Sequence, residues 1–350
     1  MSSKIYRIII ILTISIIIIN FSSSNINADE FALGEETTSY YAQNKLGHKI
    51  HFSNLNDVNF DSSKELILIL GNSQTHGINQ KKITDVNYVE ILDSHFNSNN
   101  IISFSLPNGN LKEFYLISLY FIEKFNISQI VLPVFFDDFR ENNIRPEIIN
   151  FFKKNENIDN FPKSIKQEIG QEFGIDFESE NSSNKSTQDF SEKKLNNFFN
   201  KFSIWKNRES IRVELFIFLY KLRNTVFFIS PSSIRYKIKE SYNQNLNSLY
   251  NLLDNSRKNN IQVLTYIPPI RKDVKIPYDL TEYNDFKKDI KLLKNDFSNL
   301  KYADLDSIVK GEFWGYKNST NLLKSTEYDF MHFNYYAHKI LADNLKTLIK

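Results

Sequence analysis

Gly71-Asn72-Ser73-Gln74-Thr75-His76-Gly77 directly follows the apolar run Leu66-Ile67-Leu68-Ile69-Leu70. A buried strand that breaks at Gly-x-Ser can hold a serine hydroxyl on a tight turn at the edge of a sheet. There it can act as a nucleophile once a base takes its proton. Towards the other end of the chain, Asp329-Phe330-Met331-His332 precedes a final amphipathic stretch. An Asp and a His three positions apart at a loop-to-helix junction can set the carboxylate against one ring nitrogen, leaving the other to face the serine. Ser73, His332 and Asp329 would then supply nucleophile, base and orienting acid for attack on an ester carbonyl, in the chain order Ser, Asp, His.

Such groups need a frame that brings residues 73 and 332 together. Strands are expected at 66–70, 101–106, 130–136, 261–267 and 300–305, where apolar residues run together between turn signals. Helices are expected at 88–96, 111–125, around 242–253, at 283–297 and at 335–348. Pro133 is awkward in a central strand, because it cannot donate to the ladder. Residues 48–52 read as an edge strand. Strands alternating with helices predict an α/β fold of parallel βαβ units, with sites at the strand C-termini. Residues from about 140 to 240 break this rhythm and read as a largely helical insertion. Within it, 211–228 is apolar and aromatic with helical spacing, and 178–189 is a polar loop.

The chain resembles the SGNH (GDSL-like) hydrolase superfamily at four short places within residues 64–350. Gly71-Asn72-Ser73 with Thr75 and Gly77 is similar to the Gly-Asp-Ser-x-x-x-Gly nucleophile block, with Asn in place of Asp. Gly109 follows the second strand, where the family has a glycine whose amide joins the oxyanion hole. Phe135-Phe136-Asp137-Asp138 falls where the family has Gly-x-Asn-Asp. Asp329-x-x-His332 is similar to the terminal block that supplies acid and base. The resemblance implies a three-layer α/β/α flavodoxin-like SGNH fold with a mostly parallel sheet and a helical insertion. It also implies an acyl-serine on Ser73, an oxyanion hole drawn from Ser73, Gly109 and Asp137, and no cofactor or metal. The third block departs from the pattern. An ionised Asp137 in the hole would oppose a developing oxyanion. A protonated one could donate, but only with its pKa raised well above the usual ~4 by burial. Alternatively, Asp137 and Asp138 face elsewhere and the hole relies on the amides of Ser73 and Gly109. Removing one such donor costs on the order of 10²–10³ in rate.

Each of these residues also has a structural role open to it. Gly71 and Ser73 suit a strand-ending turn, Asp329 could cap the last helix, and His332 could be a structural histidine before it. His76 competes as base, although a side chain on the same turn would point along the following helix. His338 reads as a surface or packing residue. His48 and His51 fall on opposite faces of a strand, and His95 has no obvious partner.

The remaining bounds come from the whole chain. Among 350 residues, 41% are hydrophobic, with 30 Phe and 18 Tyr, ample for a sizeable core. A net charge of +2 gives no field that favours nucleic acid. The absence of Cys excludes a thiol nucleophile, a thiolate metal site and disulfides. Lys4 and Arg7 precede an apolar run at 8–19 and a mostly polar stretch at 20–30, the order of a secretory signal. The run is short for a spanning helix, which needs about 20 residues. Residues 1–28 therefore read as a signal peptide or a retained signal anchor, and both stay open because Ile26-Asn27-Ala28 is an imperfect cleavage site. Residues 29–63 read as an N-terminal extension and 64–350 as the SGNH hydrolase-like domain. The cations before the apolar run predict an exported chain, periplasmic or otherwise extracytoplasmic. With that signal, the resemblance narrows to envelope SGNH-type O-acyltransferases that work with membrane-bound O-acyltransferases. It then implies a glycan or acyl-ester substrate, a membrane-bound O-acyltransferase partner and membrane contact through the N-terminal segment. A non-catalytic envelope protein that binds or assembles glycans on a degenerate SGNH fold fits the same residues.

Overall fold

The computed structural model describes residues 39–42, 64–76, 86–96, 99–153, 161, 166–167, 169–171, 218–230, 232–323 and 326–349. The chain forms two compact units. One comprises Thr37–Phe177, Ser230–Ser319 and Lys324–Lys350, and the other Met1–Glu36, Glu178–Ile229 and Thr320–Leu323. The apolar N-terminal run, the strand expected at 48–52 and the loop at 178–189 lie outside the described residues.

The first unit is built on β1 (Ser39–Ala42), β2 (Leu66–Gly71), β3 (Asn100–Ser105), β4 (Ile127–Pro133), β5 (Gln262–Ile267) and β6 (Leu300–Asp304). They form one sheet in the order β1-β3-β2-β4-β5-β6. β1 runs antiparallel to β3, and the other five strands are parallel. Without β1 this is the flavodoxin-like doubly wound order. The chain steps one way from β2 to β3 and the other way from β3 to β4. The β2/β4 boundary is therefore the topological switch point, the place at the strand C-termini where open α/β sheets bind their ligands.

Both faces of the sheet are covered, which is why β2 is an unbroken apolar run rather than an alternating one. Leu66, Leu68 and Leu70 share a core with residues of α3 (Leu111–Lys124), α4 (Pro146–Lys153), α5 (Lys239–Lys258) and α6 (Leu280–Leu292). Ile67 and Ile69 pack on the other side with Tyr88, Val89 and Leu92 of α2 (Tyr88–His95) and with Ala337, Leu341 and Leu345 of α7 (Tyr335–Lys346). The result is a three-layer α/β/α fold. Each fully buried Leu or Ile contributes roughly 1.5–3 kcal/mol, so β2 is among the firmest parts of the frame. Side-chain caps set the helix starts. Asn87 with Glu90 and Asn110 with Glu113 form reciprocal capping boxes on α2 and α3.

Element positions follow the expected rhythm with small shifts. β4 starts three residues earlier than expected and stops at Pro133, which ends the strand rather than interrupting it. Two features depart from the sequence reading. β1 arises within the polar extension expected at 29–63. The Asp329–His332 block lies not in a loop but on β8 (Thr326–Phe333), which pairs antiparallel with β7 (Trp314–Asn318) as a separate two-stranded sheet. Asp329 does not cap the last helix either. Asn334 does so, its side-chain oxygen accepting the amides of Tyr336 and Ala337. Among the described residues no helix is long and apolar enough to cross a membrane.

Candidate active site

Ser73 opens α1 (Ser73–His76), a single helical turn directly after β2 at the switch point. The turn requires glycine at 71, because a Cβ there would collide with the Thr75 side chain. Thr75 is in turn fixed by a 2.9 Å hydrogen bond with the Tyr88 hydroxyl. The Asn72 side-chain oxygen accepts the Gln74 amide at 3.1 Å and closes the turn from within. Gln74 pins it from outside, its side-chain amide donating to the carbonyls of Met331 at 2.7 Å and Pro269 at 3.0 Å. The serine turn is thereby tied directly to the strand that carries the histidine.

Ser73 Oγ lies 2.9 Å from His332 Nε2. His332 Nδ1 lies 2.9 and 3.0 Å from the two carboxylate oxygens of Asp329. With Asp329 ionised, Nδ1 must carry a proton and donate it. Nε2 is then left as an acceptor for the serine hydroxyl, as a general base requires. Asp329 is 1% exposed, and burial alone would raise its pKa. The hydrogen bond and charge of His332, the Met331 amide and the charge of Lys317 outweigh that cost and bring it down to about 2. Its Oδ1 also accepts the amides of Met331 at 3.1 Å and His332 at 3.0 Å. The carboxylate thus holds both the ring and the backbone of the histidine in place.

The oxyanion side is different. The Gly109 amide donates to the Leu106 carbonyl at 2.8 Å. It closes a tight turn in which Asn108 adopts a φ of 56°. A Cβ on Gly109 would approach Phe114 and Leu106 within 3 Å, so the glycine is needed for packing, and its N–H is already engaged. Asp137 does not offer a donor. Its carboxylate is ion-paired with Arg235, accepts from the Tyr278 hydroxyl at 3.0 Å, and has Arg140 at 3.5 Å. Both carboxylate oxygens are thus directed at these three partners. The remaining donor of the expected three is the Ser73 amide, which has no hydrogen-bond acceptor among the described residues.

Sequence reasoning missed Asp138 as a structural partner of the serine turn. Its Oδ1 accepts from Asn72 Nδ2 at 3.2 Å, and its Oδ2 accepts the Phe135 amide at 2.9 Å. It is 4% exposed. Burial pushes its pKa well up, and the charge of Asp137 adds to this, against the hydrogen bonds from Phe135 and Asn72. Asn rather than Asp at 72 therefore has a local reason: a second carboxylate there would face Asp138. The pairing is invisible in sequence because 66 positions separate the two residues.

His338 is buried, accepts the Tyr88 amide at 3.4 Å and stacks on the Tyr88 ring, a packing role. His95 is in edge contact with Phe96. The His76 side chain, His48 and His51 lie outside the described residues. Among the described residues no cluster of three or more His, Asp or Glu could hold a metal ion.

Compared with models of known protein families, the chain matches none. No curated protein sequence matches it either.

Proposed function

We propose that this protein is a serine-dependent acyl-ester enzyme of SGNH type, acting on an envelope glycan or polymer as an esterase or O-acyltransferase. The observation that carries the reading is the continuous hydrogen-bonded line from Ser73 through His332 to Asp329 at the C-terminal end of β2. In the reaction, Ser73 Oγ forms a bond to the ester carbonyl carbon while its proton passes to His332 Nε2. The ester C–O bond then breaks, and the leaving alkoxide takes that proton. The acyl-serine is released to water or to a sugar hydroxyl, whose proton returns through His332. Asp329 stays ionised and stabilises the imidazolium. The export reading and the membrane-bound O-acyltransferase partner rest on the N-terminal sequence and the family resemblance. A catalytic domain outside the cytoplasm needs an acyl donor delivered through the membrane.

The alternative, a non-catalytic glycan-binding or assembly protein on a degenerate fold, is favoured by the engaged Gly109 amide and the ion-paired Asp137. Hydrolysis of 4-nitrophenyl acetate by the full chain, with and without an added oligosaccharide, separates the two. The enzyme reading expects release that Ser73→Ala abolishes, with acetyl appearing on the oligosaccharide if transfer outruns hydrolysis. Equal release by wild type and Ser73→Ala would leave the binding reading standing.

A further inference from the structure

In the smaller unit, the helix at residues 218–226 carries its apolar side chains outward. Phe218, Leu222 and Val226 recur at every fourth position with Leu219 beside them, and all four are exposed. The inward positions are polar. Asn224 is 1% exposed; its Nδ2 donates to the Thr320 carbonyl at 3.0 Å, and its Oδ1 takes the Arg223 guanidinium. Thr225 Oγ1 accepts the Leu322 amide at 3.0 Å, which fixes the exposed Leu322 and Leu323 beside the helix. This inverts the usual arrangement of a helix at a protein surface.

The helix end points the same way. The Ile229 amide closes onto the Asn224 carbonyl at 2.8 Å, and Phe228 sits at a φ of 54°, where glycine is the usual residue. Phe227 is 70% and Phe228 87% exposed. Two exposed phenylalanines, one in a backbone conformation that disfavours it, serve no packing within the described structure. The only charged residues in 218–229 and 320–323 are Lys221 and Arg223, both cationic. An apolar, aromatic face with a purely cationic complement matches a surface whose interior is hydrocarbon and whose rim is phosphate.

We propose that this face docks on an anionic lipid bilayer. Phe227, Phe228 and Leu323 enter the boundary between headgroups and acyl chains, and Lys221 and Arg223 meet the lipid phosphates. The contact is peripheral: it adds to whatever the apolar run at 8–19 contributes and does not depend on the chemistry at Ser73.

The absence of cysteine allows a local test on the full chain. Phe228→Cys, and independently Leu323→Cys, are labelled with the environment-sensitive dye NBD. The protein is then reconstituted with phosphatidylcholine vesicles with or without phosphatidylglycerol. Both probes should shift to shorter wavelength and be quenched by nitroxides on the acyl chains, more strongly when phosphatidylglycerol is present. Lys221→Gln should weaken that anionic-lipid-dependent docking about fivefold. Failure of acyl-chain nitroxides to quench either probe would overturn the proposal. So would a shift that depends on protein concentration at constant lipid, which would assign the face to a second copy of the chain.

Discussion

The two sides of Ser73 are in opposite states. On one side, Ser73, His332 and Asp329 form a line in which each polar atom has the partner that proton transfer requires. On the other, the Gly109 amide is engaged by its own turn and Asp137 by Arg235 and Tyr278. The difference comes from where each side is built. The acid and base lie three residues apart on one strand, so their mutual geometry is local. Gln74, whose side-chain amide donates to the Met331 carbonyl, ties them to the serine turn. The oxyanion side depends on the separate turns after β3 and β4, where the Gly109 amide and the Asp137 carboxylate each meet partners of their own. A serine can thus face a well-placed base while, of the three donors expected for an oxyanion, only the Ser73 amide is left without an acceptor among the described residues.

The largest expected effect tests the intact side. His332→Ala should lower kcat for an activated ester by about 10⁵–10⁶, and Asp329→Asn by about 10⁴, because the amide favours the wrong imidazole tautomer. Equal and small losses would mean that the line carries no proton.

Next comes the turn beneath the serine. Asn72→Asp would set a second carboxylate against buried Asp138. It should cost about 2–3 kcal/mol of stability at neutral pH, with much of it regained in acid as the pair comes to share a proton. Thermal unfolding from pH 4 to pH 8 reads this directly. A loss that does not depend on pH would show that Asn72 matters for shape rather than for charge.

A similar effect with the opposite pH dependence belongs to Asp329. Its pKa in the folded chain is lowered to about 2. The stability it contributes is therefore fully present above its unfolded value near 4 and is lost as pH falls towards 2. The magnitude is about 2 kcal/mol. Asp329→Asn should flatten that part of the acid-unfolding curve. An unchanged curve would mean that the carboxylate is not held ionised by His332.

The smallest effect is expected on the other side of the serine. Asp137→Asn removes a partly exposed ion pair worth about 0–1 kcal/mol. It should leave ester hydrolysis within about tenfold of wild type. A gain of 10² or more would mean that position 137 reaches the oxyanion after all, and that its link to Arg235 gives way when substrate binds.

What the sequence conveyed follows the same division. The parallel strands are legible because a sheet covered on both faces demands unbroken apolar runs such as 66–70. Ser73, Asp329 and His332 are legible because their spacing is local to short blocks. The strand under Asp329 is not, since Thr326–Phe333 mixes Glu, Asp and His into a two-stranded sheet whose pairing with β7 is set by tertiary contact. The partners of Asp137 and Asp138 are equally hidden. Arg235 and Tyr278 lie 98 and 141 positions from Asp137, and no local pattern announces them.

The central claim is that Ser73 is a nucleophile activated by His332. Treatment of the full chain with a fluorophosphonate, followed by mass spectrometry of its peptides, tests it most directly. The account predicts one adduct, on Ser73, that is lost in Ser73→Ala and strongly slowed in His332→Ala. Absence of labelling in the folded protein, or an adduct rate unaffected by His332→Ala, would contradict it.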